Sequence, residues 1–103
     1  MLKPTNTNYL FKFSIVTAVY NVAPYLSEAI DSILSQDIGF LESVELILVD
    51  DGSTDASGAI CDEYQHKYPE NIVVIHKPNG GVASARNAGI AVARGRYVKF
   101  HGF

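Results

Sequence analysis

The chain has 103 residues, 11 acidic and 8 basic side chains and a formal net charge of -3, which leaves room for one modest domain and excludes a multidomain arrangement. With 48% hydrophobic and 18% charged residues it is too apolar to be wholly disordered. Without a block of Lys and Arg it lacks the charge that binding a nucleic-acid backbone requires.

In chain order, residues 1–12 read as a polar N-terminal arm around Pro4-Thr5-Asn6-Thr7-Asn8. Residues 13–20 are apolar and β-branched over a strand's length. Pro24 suits a helix's first turn, and Leu26, Ala29, Ile30, Ile33 and Leu34 follow at spacings of three and four, predicting a helix that stops near Gly39. Residues 44–49 form a near-continuous apolar run, the mark of a strand buried on both faces, and it ends in Asp50-Asp51-Gly52-Ser53. Thr54 or Asp55 caps a second helix to about Tyr68, with Ala56, Ala59, Ile60, Cys61 and Tyr64 facing inward. A short strand over 72–75 leads through Lys77-Pro78-Asn79-Gly80-Gly81 into a third helix over 82–94. Gly95 reads as its left-handed terminator, and a fourth strand begins at Tyr97.

This alternation predicts an α/β fold of Rossmann-like, three-layer α/β/α type, with a mostly parallel sheet of about four strands. Ligands in such folds bind outside the carboxyl ends of the strands. Three segments meet that rule: Tyr20-Asn21, Asp50-Asp51-Gly52-Ser53 and residues 76–81.

Carboxylates such as Asp50 and Asp51 can accept hydrogen bonds from a base or a ribose, although Asp, Gly and Ser equally make an ordinary turn. Tyr20 and Asn21 offer an aromatic face and an amide for a nucleobase, or a tyrosine closing the core's rim. Gly80 and Gly81 can turn N–H groups toward a phosphate at a helix start, with Lys77 and Arg86 adding charge; neither G-x-G-x-x-G nor a Walker loop is present. Arg86 fits a solvated helix face equally well. His76 reads as a hydrogen-bonded rim histidine near the cleft, and Cys61 as a small core residue.

The lone cysteine forms no internal disulfide, and with His66, His76 and His101 at no ligand spacing it supplies no zinc site. The opening residues lack the apolar core of a signal peptide, and no stretch approaches the ~18 apolar residues of a membrane span. A cytoplasmic chain, or one at the inner face of the cytoplasmic membrane, is expected.

Together these segments resemble the family 2 nucleotide-sugar glycosyltransferases of GT-A fold. The match runs from Ser14-Ile15-Val16-Thr17-Ala18-Val19-Tyr20-Asn21 through Ser32-Ile33-Leu34-Ser35-Gln36 to Val49-Asp50-Asp51-Gly52-Ser53-Thr54-Asp55. It continues in Asn79-Gly80-Gly81-Val82-Ala83-Ser84-Ala85-Arg86-Asn87 and Ala93-Arg94-Gly95-Arg96-Tyr97-Val98. The resemblance implies an inverting transfer of a sugar from a UDP-sugar to an acceptor hydroxyl, in polysaccharide or glycoconjugate synthesis. It implies donor binding by Ala18, Val19, Tyr20, Asn21, Asp50, Asp51, Gly81 and Arg86: Tyr20 on the base, Asp51 at the base edge, Asp50 on the ribose side, and the segment from Gly81 to Arg86 by the diphosphate.

The family's Mg2+ or Mn2+ is held by an Asp-x-Asp motif after the fourth strand, where this sequence reads His101-Gly102-Phe103. Residues 13–103 are therefore expected to be the donor-nucleotide part of the domain, shortened before that motif. No firm metal binding, no catalytic residue and no activity alone are expected, and surface exposed by the shortening should drive self-association as a dimer. The alternative is a noncatalytic nucleotide-binding or assembly module.

Overall fold

The computed structural model of the chain describes residues 10–36 and 40–102. The elements run β1 (Phe11–Val19), α1 (Ala23–Gln36), α2 (Phe40–Ser43), β2 (Val44–Asp51), α3 (Ser57–Lys67), β3 (Ile72–Lys77), α4 (Val82–Val92) and β4 (Gly95–His101). All four strands join one parallel sheet in the order β3-β2-β1-β4. The expected α/β architecture is the observed one.

The uninterrupted apolar run of β2 reflects its position, since it is paired on both sides and buried along its whole length. Alternate residues then build two cores. Leu46, Leu48 and Val19 pack with Leu26, Ile30 and Ile33 of α1 and Cys61 and Tyr64 of α3. On the opposite face Ile47, Val49, Val16 and Val98 pack with Ala85 of α4. The sheet is thus sandwiched between α1/α3 and α4. None of the helices among the described residues is long and apolar enough to cross a membrane.

Several boundaries differ from expectation. β1 begins at Phe11, because Phe11 pairs with Gly95, so the last two residues assigned to the polar arm belong to the sheet. Residues 1–9 of that arm, and the helix stop placed near Gly39, lie outside the described residues. The short α2 was not expected. The α3 helix begins at Ser57, with Ala56 at its cap position. Ala56 and Ala59 are exposed, while Cys61 and Tyr64 face inward as expected.

Gly95 is the most informative correction. The helix ends at Val92, and Gly95 is the first residue of β4 rather than a left-handed terminator. A Cβ there would lie 2.5 Å from the Ser14 backbone nitrogen, so the requirement for glycine is close approach to β1. The Gly95 N–H donates to Ser14 Oγ, which itself donates to Glu45 Oε1 at 2.7 Å. Glu45 is fully buried and also accepts from the Arg94 backbone N–H and, at 2.9 Å, from Arg94 Nε. This network pins the start of β4 to β1 and β2 and satisfies a carboxylate that would otherwise be costly to bury.

Candidate nucleotide site at the carboxyl edge of the sheet

The strand order puts a reversal between β1 and β4: the chain steps outward from β1 to β2 and β3, then crosses back to β4. Connections leave the sheet in opposite directions there, opening a crevice at its carboxyl edge. Val19 is paired with Asp50, Asp50 with His76, Asp51 with Lys77, and Thr17 with His101. The segments picked from the sequence therefore end side by side.

Strand alternation sends the two adjacent carboxylates to opposite faces. Asp51 turns toward α4. Its Oδ1 accepts from Lys77 Nζ and the Gly80 N–H, each at 2.9 Å, and its Oδ2 accepts from the Gly81 N–H at 2.9 Å. The Lys77 hydrogen bond holds the Asp51 carboxyl below its ordinary value; burial opposes this, and the two glycine N–H groups reinforce it. The N–H groups expected to face a phosphate, and the Lys77 charge expected beside them, are thus engaged by Asp51. Gly81, at φ +92°, provides the left-handed bend that starts α4.

Asp50 turns toward α3. Its Oδ1 accepts from the Ser53 N–H at 3.0 Å, and its Oδ2 lies 2.8 Å from His76 Nδ1. The other ring nitrogen of His76 lies 2.8 Å from Asp62 Oδ1. Burial pushes the Asp50 carboxyl up, but hydrogen bonds from Ser53 and His76 outweigh it and leave the pKa below the ordinary value. The same contacts with Asp50 and Asp62 raise His76.

Asn21 has a different place from the one expected. It sits at φ 50° and its Oδ1 accepts from the Thr54 N–H at 2.8 Å and the Asp55 N–H at 3.3 Å. The Asn21 N–H donates to Ser53 Oγ, the Val22 N–H to Ser57 Oγ and the Ala23 N–H to Asp55 Oδ2. Ser53, Thr54, Asp55 and Ser57, after β2, are thus stitched to residues 21–23 at the start of α1. Asn21 organises the site, while its neighbour Tyr20 projects as an aromatic 49% exposed.

Val19 is fully buried and Ala18 half-buried in the core, so at the edge they offer main chain. The exposed Arg86 guanidinium lies over the Phe100 ring at 5.2 Å. The sequence offers Ser53 as a turn residue and Asp55 as a helix cap but gives no role to Ser57 or Asp62, for which the signal is the density of short polar side chains around them. At β4's carboxyl end Lys99, Phe100, His101 and Gly102 bring no carboxylate. Among the described residues no group of three or more His, Cys, Asp or Glu could hold a metal ion. The family's divalent cation does not fit these residues.

A family model, Glycosyl transferase family 2, matches residues 14–101. The chain belongs to glycosyl transferase family 2. Among its curated relatives, the minor teichoic acid biosynthesis protein GgaB of Bacillus subtilis is 54% identical over 93 residues, which are 90% of this chain and 10% of GgaB. GgaA of the same organism is 46% identical over 91 residues, 88% of this chain and 20% of GgaA. The family 2 fold is matched in solved structures by S. aureus TarS 1-349 in complex with UDP-GlcNAc. The TM-score is 0.79 at 34% identity, over 89% of this chain and 26% of TarS 1-349. The mannosyltransferase PcManGT of Pyrobaculum calidifontis, in complex with GDP-Man and Mn2+, matches at TM-score 0.71 and 25% identity, over 90% of this chain and 26% of that one. The chain thus spans about a quarter or less of the length of these relatives.

Proposed function

We propose that this chain holds the nucleoside diphosphate of a UDP-sugar for an inverting glycosyl transfer to an acceptor hydroxyl, in synthesis of a cell-envelope polysaccharide of the teichoic acid kind. The observation that supports the reading is the stitching of the β1 and β2 loops next to exposed Tyr20, where Val19, the residue before it, pairs with Asp50. TarS, 34% identical, is known with UDP-GlcNAc, and GgaB and GgaA, at 54% and 46%, are named for teichoic acid biosynthesis.

Tyr20 stacks on the base and the main chain of Ala18 and Val19 lines its pocket. Asp51 accepts the base-edge N–H on the remaining lone pair of Oδ2, since a carboxylate has about four acceptor positions. Asp50 supports the ribose side by fixing the Gly52-Ser53 turn, with Asn21 holding the loop opposite. Gly81 and Arg86 serve the diphosphate, Arg86 by swinging from Phe100. No proton transfer or metal step is assigned to these residues, and sugar transfer by this chain alone is not expected. A cytoplasmic setting suits Cys61, a buried free thiol. Self-association, as a dimer, is assigned to the edge strand β4, where Phe100 is 41% exposed.

Calorimetric titration with UDP tests the reading. Saturable binding that Tyr20→Ala weakens is expected, and absence of binding would contradict it. A noncatalytic nucleotide-binding module is the second reading, in keeping with Lys99, Phe100, His101 and Gly102, which among the described residues bring no carboxylate to the end of β4. UDP binding without turnover, even when the chain is supplied within a longer family 2 protein, would select it.

A further inference from the structure

His76 pairs with Asp50 in the sheet, and both of its ring nitrogens are committed as well. Nδ1 and Nε2 each lie 2.8 Å from a carboxylate oxygen, of Asp50 in β2 and Asp62 in α3. Two acceptors can be satisfied together only if both nitrogens carry protons, so the geometry describes an imidazolium held between two carboxylates. Room for it is built into α3. A Cβ on Gly58 would lie 2.8 Å from Asp50 Oδ2 and 3.5 Å from His76 Cε1, so any larger residue there would have to push the Asp50 carboxylate aside.

The contacts continue beyond Asp50. Asp50 Oδ1 receives the Ser53 N–H, and Ser53 Oγ receives the N–H of Asn21, the residue after Tyr20. We infer that His76 is a positioning residue of the nucleoside site: as an imidazolium it fixes Asp50, and through Ser53 and Asn21 it fixes the loop that presents Tyr20. The inference rests on the nucleotide-binding reading above. The charged groups around His76 are Asp50 from β2 and Asp62 from α3, and the thiol of Cys61 lies within reach of the same two carboxylates. Burial, with help from the Asp50 and Asp62 charges, pushes the Cys61 thiol up to about 12, so it stays neutral. On β3 itself Lys77 is turned away to Asp51.

The test is the affinity of the full chain for UDP-GlcNAc, a diphosphate diester ionised throughout, at about pH 6 and about pH 8.5. It is measured for the wild type, His76→Gln and Asp62→Asn, with the His76 ring followed by NMR. Wild-type affinity should fall about three- to tenfold between the two pH values. His76→Gln should bind equally at both, and Asp62→Asn, a change at an exposed position, should move the His76 titration to lower pH. Wild-type binding that is flat with pH, or a slope that persists in His76→Gln, overturns the positioning role alone. No binding of UDP-GlcNAc by any variant at either pH overturns the nucleotide reading as well.

Discussion

The carboxylate of Asp51, at the last position of β2, accepts the backbone N–H of Gly81, the residue just before α4, over 2.9 Å. One side chain thereby fixes the bend that leads into a helix and forms an ion pair with Lys77. The helix start that could take an external anion holds an internal one.

Replacing Asp51 by Asn should therefore cost about 1–3 kcal/mol of stability, because Asn has one acceptor oxygen for three donors and leaves Lys77 unpaired. Urea denaturation reads this directly. Calorimetry with UDP should show weaker binding for the same variant.

Gly95→Ala should destabilise the fold by about 1–3 kcal/mol through overpacking, since the new methyl meets the backbone of Ser14 and backbone cannot step aside. Gly102→Ala, where nothing lies within 4 Å, should be near neutral. Thermal melts of the two variants provide the comparison, and equal midpoints would refute the close-approach explanation.

Glu45→Ala should cost about 2–4 kcal/mol. It leaves the Ser14 hydroxyl and the Arg94 backbone N–H without their acceptor. The loss should appear first as hydrogen exchange at β4 amides, whose register begins beside this network.

Stability should decline on both sides of a plateau. Asp50, Asp51 and Asp55 have pKa values lowered in the fold. Their contribution is present above the unfolded carboxylate value of about 3.9 and is lost as pH falls through the lower folded values. His76 is raised, so its contribution is complete below about 6.5 and is lost as pH rises through the higher folded value. Urea midpoints across pH should show both limbs, and His76→Gln should remove the part of the alkaline decline that begins at about pH 6.5, leaving the later loss above the unfolded thiol value of about 8.5 that Cys61, pushed up to about 12 in the fold, contributes.

Much of this was legible in the chain because the signals are local. The unbroken apolar run of β2, the spacing of Leu26, Ile30 and Ile33, and the turn chemistry after each strand specify elements without tertiary information. What escaped was set by partners distant in sequence. Glu45 looks like an interruption of an apolar strand until Arg94 and Ser14 surround it. Gly95 looks like a helix terminator until β1 lies against it. Asn21 and the Gly80-Gly81 pair follow the carboxyl ends of β1 and β3. Their partners, the Thr54-Asp55 backbone and Asp51, come together only when the parallel register is formed.

Amide chemical-shift mapping of the chain titrated with UDP examines donor binding at its location. Saturable shifts concentrated at Tyr20, Asn21, Asp51, Gly52 and Gly81, which need more UDP to saturate in Asp51→Asn, are the predicted result. No shifts, or shifts gathered elsewhere on the fold, would contradict a nucleotide site at this edge of the sheet.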